Sequence, residues 1–232
     1  MARKGKNYTN SRKKVSKDKV YLVEEAMELV KEASFAKFDE AVDLAICTGL
    51  DTRHADQQLR GAYSLPNGTG KDVKVAVFAG GEKELEAREA GADIIGAEDL
   101  AEKIQGGFLD FDVVLALPEM MKVVGKLGRI LGPRKLMPNP KTGTVTNDIG
   151  DAIKEYKGGK VNFQADSGGV IHVTIGRKSF ETKKLAENFD SFIKHIIRSK
   201  PAGAKGIYIK KMFVSTTMGP SVKLDTKSAL AS

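Results

Sequence analysis

Val73-Lys74-Val75-Ala76-Val77-Phe78-Ala79-Gly80-Gly81 reads as a strand that is apolar on both faces from Val75 onward and is closed by a glycine pair. A half-buried strand alternates apolar with polar residues; this one does not, so it belongs in a sheet covered on both sides. The residues that follow keep the same grammar. Glu82 to Ala90 reads as a helix ended by Gly91, and Asp93-Ile94-Ile95-Gly96 as a short strand. Glu98 to Gln105 is a second helix, ended by Gly106-Gly107, and Phe111 to Leu117 is a second apolar strand. Pro118 then opens a helix to about Ile130, with proline in the first turn. Strands alternating with helices in this way indicate a parallel sheet between two helical layers.

Outward from this module the grammar is different. Upstream, residues 1–19 form a basic arm in which eight Lys and Arg face one acid, Asp18, with almost nothing apolar to order it. An amphipathic helix begins at Leu22, its apolar face Ala26, Leu29, Val30 and Ala33. Strand-like runs follow at about 40–48 and 58–65, and Leu65-Pro66-Asn67-Gly68-Thr69-Gly70 breaks the chain. Downstream, Asp148 to Lys157 is a helix ended by Gly158-Gly159. Lys160 to Phe163 and Val170 to Ile175 read as strands joined through a hairpin-like turn at Asp166-Ser167-Gly168-Gly169. Thr182 caps a helix whose apolar face is Leu185, Phe189, Phe192, Ile193 and Ile196, with Pro201 marking its end, and Ile207 to Thr217 is a last strand. The flanks thus offer two helices and about five strands with little strand–helix–strand alternation, which suits helices on one face of a mostly antiparallel sheet. Two separate flanking domains of 66 and 73 residues would each be marginal in size. The economical reading is one discontinuous domain, 1–66 with 160–232, and an α/β domain, 67–159, inserted in it.

Charge follows the same division. The formal net charge is +8, but residues 67–159 carry 13 Lys and Arg against 15 Asp and Glu, whereas the flanks carry 25 against 15. Within the insert, 67–121 holds five basic and twelve acidic residues and 122–146 holds six basic and none acidic. Positive charge gathered in particular segments is what a polyanion binder needs, although a solvated lysine-rich surface reads the same way from composition. No run of about 18 apolar residues is present, so no membrane span is expected, and the basic N-terminus leads into no apolar signal core. A cytosolic protein is the expectation. The single Cys47 cannot form an internal disulfide and reads as a buried strand residue rather than a nucleophile.

Motifs for small-molecule chemistry are weak. Gly70-Lys71 has Leu65 where a phosphate loop needs glycine and Asp72 where it needs Ser or Thr, and it precedes its strand instead of following it. His54, His172 and His195 have no metal-ligand spacing with another His, Cys or Glu, so neither a metal nor a cofactor is expected. His172 alternates with Ile171 and Val173, which places it on the polar side of a strand. Two irregular segments are more informative. Leu131 to Thr144 carries three prolines, two internal glycines and the cations Arg134, Lys135 and Lys141. It reads equally as a loop that contacts phosphate and as an interdomain wrap whose Leu and Met pack inward. Ser215-Thr216-Thr217-Met218-Gly219-Pro220-Ser221 offers hydroxyls, a thioether and backbone opened by glycine; these can reach ribose and phosphate oxygens, or can be an ordinary strand exit.

Leu131-Gly132-Pro133 with Met137-Pro138-Asn139-Pro140, Thr144-Val145, Ser215 to Gly219, Ala36-Lys37-Phe38 and Asp56-Gln57-Gln58-Leu59-Arg60-Gly61 together resemble, in order and over nearly the whole chain, the bacterial large-subunit ribosomal protein of the lateral stalk, the first-numbered of its subunit. The resemblance implies a split α+β sandwich with an inserted Rossmann-like three-layer α/β domain. It implies that the discontinuous domain binds large-subunit ribosomal RNA through Lys37, Phe38 and Glu40, the turn from Asp166 to His172, and Ser215, Thr217, Met218 and Gly219. Arg134, Lys135 and Lys141 would supply a secondary RNA contact. It further implies a non-enzymatic monomer within the ribosome, with exit-site tRNA and a leader on its own messenger RNA as further partners, and translational repression through that leader. Two positions depart from the family pattern: Ala41 stands where Ser or Thr is expected and Lys135 where Gly is usual. The competing reading, from strand–helix alternation alone, is an α/β enzyme with its site in the insert; fold by itself does not decide between them.

Overall fold

Two helices, α1 (Lys6–Lys13) and α2 (Val23–Ala33), precede the strands β1 (Ala41–Thr48) and β2 (Arg60–Ser64) in the computed structural model, which describes residues 5–16, 19–204 and 206–226. Strand and helix then alternate: β3 (Val75–Phe78), α3 (Glu82–Glu89), β4 (Ile94–Gly96), α4 (Glu98–Gln105) and β5 (Val113–Ala116). Helices α5 (Met121–Lys126), α6 (Gly128–Leu131) and α7 (Ile149–Lys157) follow. The last described elements are β6 (Lys160–Gln164), β7 (Val170–Arg177), α8 (Thr182–Arg198), β8 (Ile209–Thr216) and β9 (Val222–Leu224). These form two compact units, Met1–Gly70 with Val161–Ser232, and Lys71–Lys160.

The first unit is built on a sheet of order β7-β1-β8-β9, antiparallel throughout. Along β1 burial alternates strictly, so Val42, Leu44 and Ile46 face a core completed by the apolar stripes of α2 and α8. Those stripes are Ala26, Met27, Val30 and Ala33 on α2, and Leu185, Phe189, Phe192, Ile193 and Ile196 on α8. Asn188, fully buried on the same face of α8, donates to the carbonyls of Ile175 and Gly68 and accepts from the Asn67 amide at 2.8–3.0 Å. A buried amide with its partners in place fixes the Pro66–Gly70 turn without a desolvation penalty. The first residue of α8 is Thr182 and its N-cap is Glu181, one position earlier than the sequence suggests.

Three expectations for this unit are corrected. The basic arm is helical over α1, because Ser11 and Val15 are buried and Lys14 Nζ lies 2.8 Å from Glu32 Oε1 on α2; residues 1–4 and 17–18 lie outside the described residues. The Asp166–Gly169 turn does not close a hairpin: after the single bridge Ala165↔Ile171, β6 pairs with β2 while β7 pairs with β1. Cys47 is only half-buried, because it falls on the face of β1 opposite the core.

In the second unit β3 is the central strand of a parallel sheet of order β4-β3-β5. Its four residues Val75 to Phe78 are all buried, and alternate residues serve two cores. Ala76 and Phe78 pack with Leu100, Ile104, Val124, Leu127 and Leu131 of α4 to α6. Val75 and Val77 pack with Ala87 of α3 and with Ile149, Ile153 and Tyr156 of α7. The single helix expected over 118–130 is broken at Leu127, whose ψ is 0°, between Gly125 and Gly128. Two glycines so close together weaken helix propagation by about 1 kcal/mol each relative to alanine.

Candidate nucleic-acid interface

Residues directly paired across antiparallel strands share a face. The non-core face of the first unit's sheet therefore carries the row Thr174, Asp43 and Ser215 and the row His172, Ala45, Phe213 and Lys223. Cys47 and Lys211 extend it toward the far end of β1. The middle strand supplies Ala41, Ala45 and Cys47, so the floor is shallow and its charged and aromatic groups stand on the neighbouring strands. Asp43 is held by Thr174, whose hydroxyl donates to it at 2.6 Å.

At the start of β1 two loops meet. Glu40 has no exposed surface, which corrects its expected place among the contact residues. Its Oε1 accepts the Ala36 amide at 2.8 Å and its Oε2 the Met218 amide at 3.0 Å. Burial pushes this carboxyl up; the Met218 and Ala36 amides, the Thr216 hydroxyl and the Lys178 charge outweigh that and hold its pKa below the ordinary glutamate value. One ionised side chain thus clamps the 35–40 loop to the 217–219 turn. Further ties come from the turn just after β7: the Lys178 amide donates to the Glu40 carbonyl at 2.8 Å, and Ser179 binds the Asp39 carboxylate through its amide at 3.0 Å and its hydroxyl at 2.8 Å. The clamp leaves Phe38 54% exposed and Met218 51% exposed, with Lys37 and Thr217 beside them in solvent. Large apolar side chains held out on tethered loops have no core function. The Thr217 hydroxyl accepts from the Ala41 amide at 3.1 Å and donates to the Ala41 carbonyl over a long 3.5 Å. Gly219 lies so close to Thr216 Oγ1 that a Cβ there would collide with it. Ala41 adds no polar side-chain atom, and its backbone is used by Thr217 on both sides.

The predicted residues therefore fall into separate places. Lys37, Phe38, Glu40, Thr217, Met218 and Gly219 converge, and Ser215 sits two residues back along β8 on the same face. Asp166 is at the opposite end of β1, roughly 23 Å away for the seven steps of about 3.3 Å between its eight residues. There its Oδ1 accepts the Gly168 and Val170 amides, both at 2.8 Å, and its Oδ2 lies 3.9 Å from His172 Nε2. Gly169, at φ +73° with the Leu50 carbonyl 2.7 Å from where its Cβ would be, can only be glycine. His172 is exposed, between the two ends. Arg177 and Lys178, which sequence reading passed over, join the first cluster through Asp39 and Glu40. Their only sequence signal is their place one strand-length after the turn.

In the loop of the second unit the apolar side chains pack inward within that unit itself, not across to the first, and the cations face solvent. Leu131 and Pro138 are buried, and Leu136 and Met137 pack within that unit's core, while Arg134, Lys135 and Lys141 are exposed. Asn139 organises the far side, accepting the Lys141 amide at 2.9 Å through its side chain and the Thr144 hydroxyl at 3.1 Å through its carbonyl. Lys71, of the glycine–lysine pair, is spent on Asp112. Among the described residues no three His, Cys, Asp or Glu side chains could together hold a metal ion.

Exposed aromatic and thioether groups, cations, hydroxyls and open backbone on one rigid α+β surface define a nucleic-acid-binding protein. A family model described as the Ribosomal protein L1p/L10e family matches residues 30–220 of the 232, and the chain belongs to that family. It is a family of large-subunit ribosomal proteins that bind ribosomal RNA, and its members are structural proteins rather than enzymes. The enzyme reading is set aside on that ground. Membership also places the chain with the ribosome in the cytoplasm.

Proposed function

We propose that the first unit grips large-subunit ribosomal RNA at the mobile lateral stalk, that from there the protein helps deacylated tRNA leave the exit site, and that the same grip holds a leader on its own messenger RNA and represses translation. The observation that carries this reading is the Glu40 clamp. It spends a buried charge on holding Phe38 and Met218 outward, a cost without purpose unless a partner covers them. Ribosomal RNA and a messenger leader read by one surface compete for it, so free protein in excess of ribosomal RNA is what would repress. The second unit, with its exposed Arg134, Lys135 and Lys141, adds a secondary RNA contact, and the whole acts as a monomer within the ribosome.

Thr217→Val and Met218→Ala test the surface. Thr217→Val removes a hydroxyl that bonds the Ala41 amide and, when bound, an RNA acceptor; loss of about 1–3 kcal/mol of RNA affinity is expected. Met218→Ala removes exposed contact area, so affinity falls while the melting temperature barely moves. Affinity for deproteinised large-subunit ribosomal RNA, with a melt of each variant, reads both out. Unchanged affinity in both variants places the site elsewhere. A messenger leader that binds alongside ribosomal RNA without displacing it removes the shared-surface account of repression.

A further inference from the structure

The family match begins at residue 30, and α1 lies before it. Yet α1 is seated beside the proposed interface. Gly5, Lys6, Asn7 and Tyr8 line one side of a recess whose other side is Phe35 and Met218. Tyr8 also faces a second cleft, of about 330 Å3, between α1 and the β8–β9 edge. Its walls are Tyr8 and Phe213, its cations Arg12 and Lys223, its hydroxyls Ser16 and Ser221, and Val15 and Pro220 add apolar surface. No acidic side chain lines it among the described residues. Phe213 comes from the non-core face of the sheet, opposite Ala45 and Lys223. Val15 and Ser11 are buried, so the helix that brings Tyr8 and Arg12 is docked rather than laid loosely on the surface.

Two aromatic rings, two cations and two hydroxyls around a cleft at the small end of the roughly 300–1,000 Å3 range of ligand pockets match one nucleotide, not a helix. A base finds an aromatic wall on either side, the phosphate finds Arg12 and Lys223, and a hydroxyl can meet the ribose. We infer that this cleft is a subsite for a single unpaired nucleotide of the bound RNA, adjoining the Phe38–Met218 surface through Tyr8. The inference rests on the RNA-binding reading above but goes beyond it. Most of the cleft's lining, from Tyr8 to Ser16 and from Ser221 to Lys223, lies outside the matched residues 30–220.

The test uses the full chain and deproteinised large-subunit ribosomal RNA carrying 4-thiouridine. Irradiation of the complex is expected to join a thiouridine to a peptide containing Tyr8 or Phe213. Tyr8→Leu, which keeps bulk but removes the ring, is expected to lower RNA affinity about tenfold, the effect of losing one stacked base. Arg12→Gln is expected to reduce the dependence of log affinity on log salt by about 0.7–0.9, one phosphate contact. Circular dichroism confirms that each variant folds; if Tyr8→Leu does not, Tyr8→Phe retaining full affinity and Arg12→Gln losing it decide the matter. Crosslinks confined to the Phe38 and Met218 peptides, with unchanged affinity in Tyr8→Leu and Arg12→Gln, overturn the subsite and leave the RNA-binding reading intact. Failure of the wild-type chain to bind the RNA at all overturns both.

Discussion

Glu40 shows what a single residue can contribute without touching the partner. From sequence it stands beside Lys37 and Phe38 and reads as one more polar contact; the structure puts it inside, with two amides on its two oxygens. No local pattern reveals this, because the second amide comes from Met218, 178 residues away. Glu40→Gln turns one acceptor oxygen into a donor that faces an amide N–H, and is expected to cost about 1–3 kcal/mol of stability and to release the Phe38 and Met218 loops. The sign with pH follows from the lowered pKa. The carboxylate stabilises the fold fully above the unfolded glutamate value of about 4.3, and that contribution is lost as pH falls through the lower folded value. Melting curves of wild type and Glu40→Gln should therefore diverge at pH 7 and converge in acid; a constant gap would mean that the charge is irrelevant. Lys135 is the opposite case, legible in the sequence as a departure from glycine. It is the one non-glycine among the described residues with positive φ, at 60°, because the Leu136 amide reaches back to the Leu131 carbonyl at 3.0 Å and only a left-handed residue between them permits that. A left-handed lysine costs roughly 1–2 kcal/mol, part of which glycine would lose again to unfolded-state entropy. Lys135→Gly is expected to raise stability by about 0.5–1 kcal/mol and to remove one exposed cation, both measurable by melts and by RNA binding across salt.

Among the elements, those with a strong period were legible and those held by distant partners were not. The alternation of β1 and the stripe of α8 are written in sequence, and their bounds agree within a residue or two. α1 was missed because its order comes from burial of Ser11 and Val15 and from the Lys14–Glu32 pair, none of which is an apolar repeat. β9 was missed because three residues carry no period at all; it exists because Met212, Phe213 and Val214 offer it an edge. α8 carries a further consequence near its end. His195 stacks on Tyr63, with ring centroids 4.5 Å apart, and meets Phe163 edge-on at 5.6 Å. Burial, and then the charge of Arg198, lower its pKa below the ordinary histidine value. Below about pH 6.5 the unfolded chain takes up a proton that the folded one refuses, so stability falls as pH drops from about 7 toward 5. His195→Phe keeps the aromatic cluster and removes the proton; its stability should decline less over that range in denaturant titrations, and an identical decline would show that other groups govern it.

For the molecule as a whole, the net of −2 on residues 67–159 against +10 on the flanks is the basis for proposing a division of labour. The geometry makes the division testable. The Ala165 amide donates to the Leu59 carbonyl at 2.9 Å and Gly61 lies against the Phe163 ring, an opposite order of partners that makes β2 and β6 antiparallel, so the chain leaves the first unit and returns to it on adjacent strands. Replacing 71–160 with a short linker therefore joins neighbours rather than stretching the sheet. The remaining unit keeps its own core of α2, α8 and the four-stranded sheet, and at about 142 residues it is large enough to fold alone. It is expected to melt cooperatively and to bind large-subunit ribosomal RNA. The salt dependence apportions the contacts. Each phosphate contact contributes about 0.7–0.9 to the slope of log affinity against log salt, so losing Arg134, Lys135 and Lys141 can lower that slope by no more than about 2–3. A larger fall would move phosphate contacts into the second unit. Affinity should persist at physiological salt, because hydroxyl and shape contacts around Thr217 and Phe38 release no counterions. A folded first unit that binds no ribosomal RNA would show instead that the second unit supplies the grip, against its charge and against the position of the Glu40 clamp.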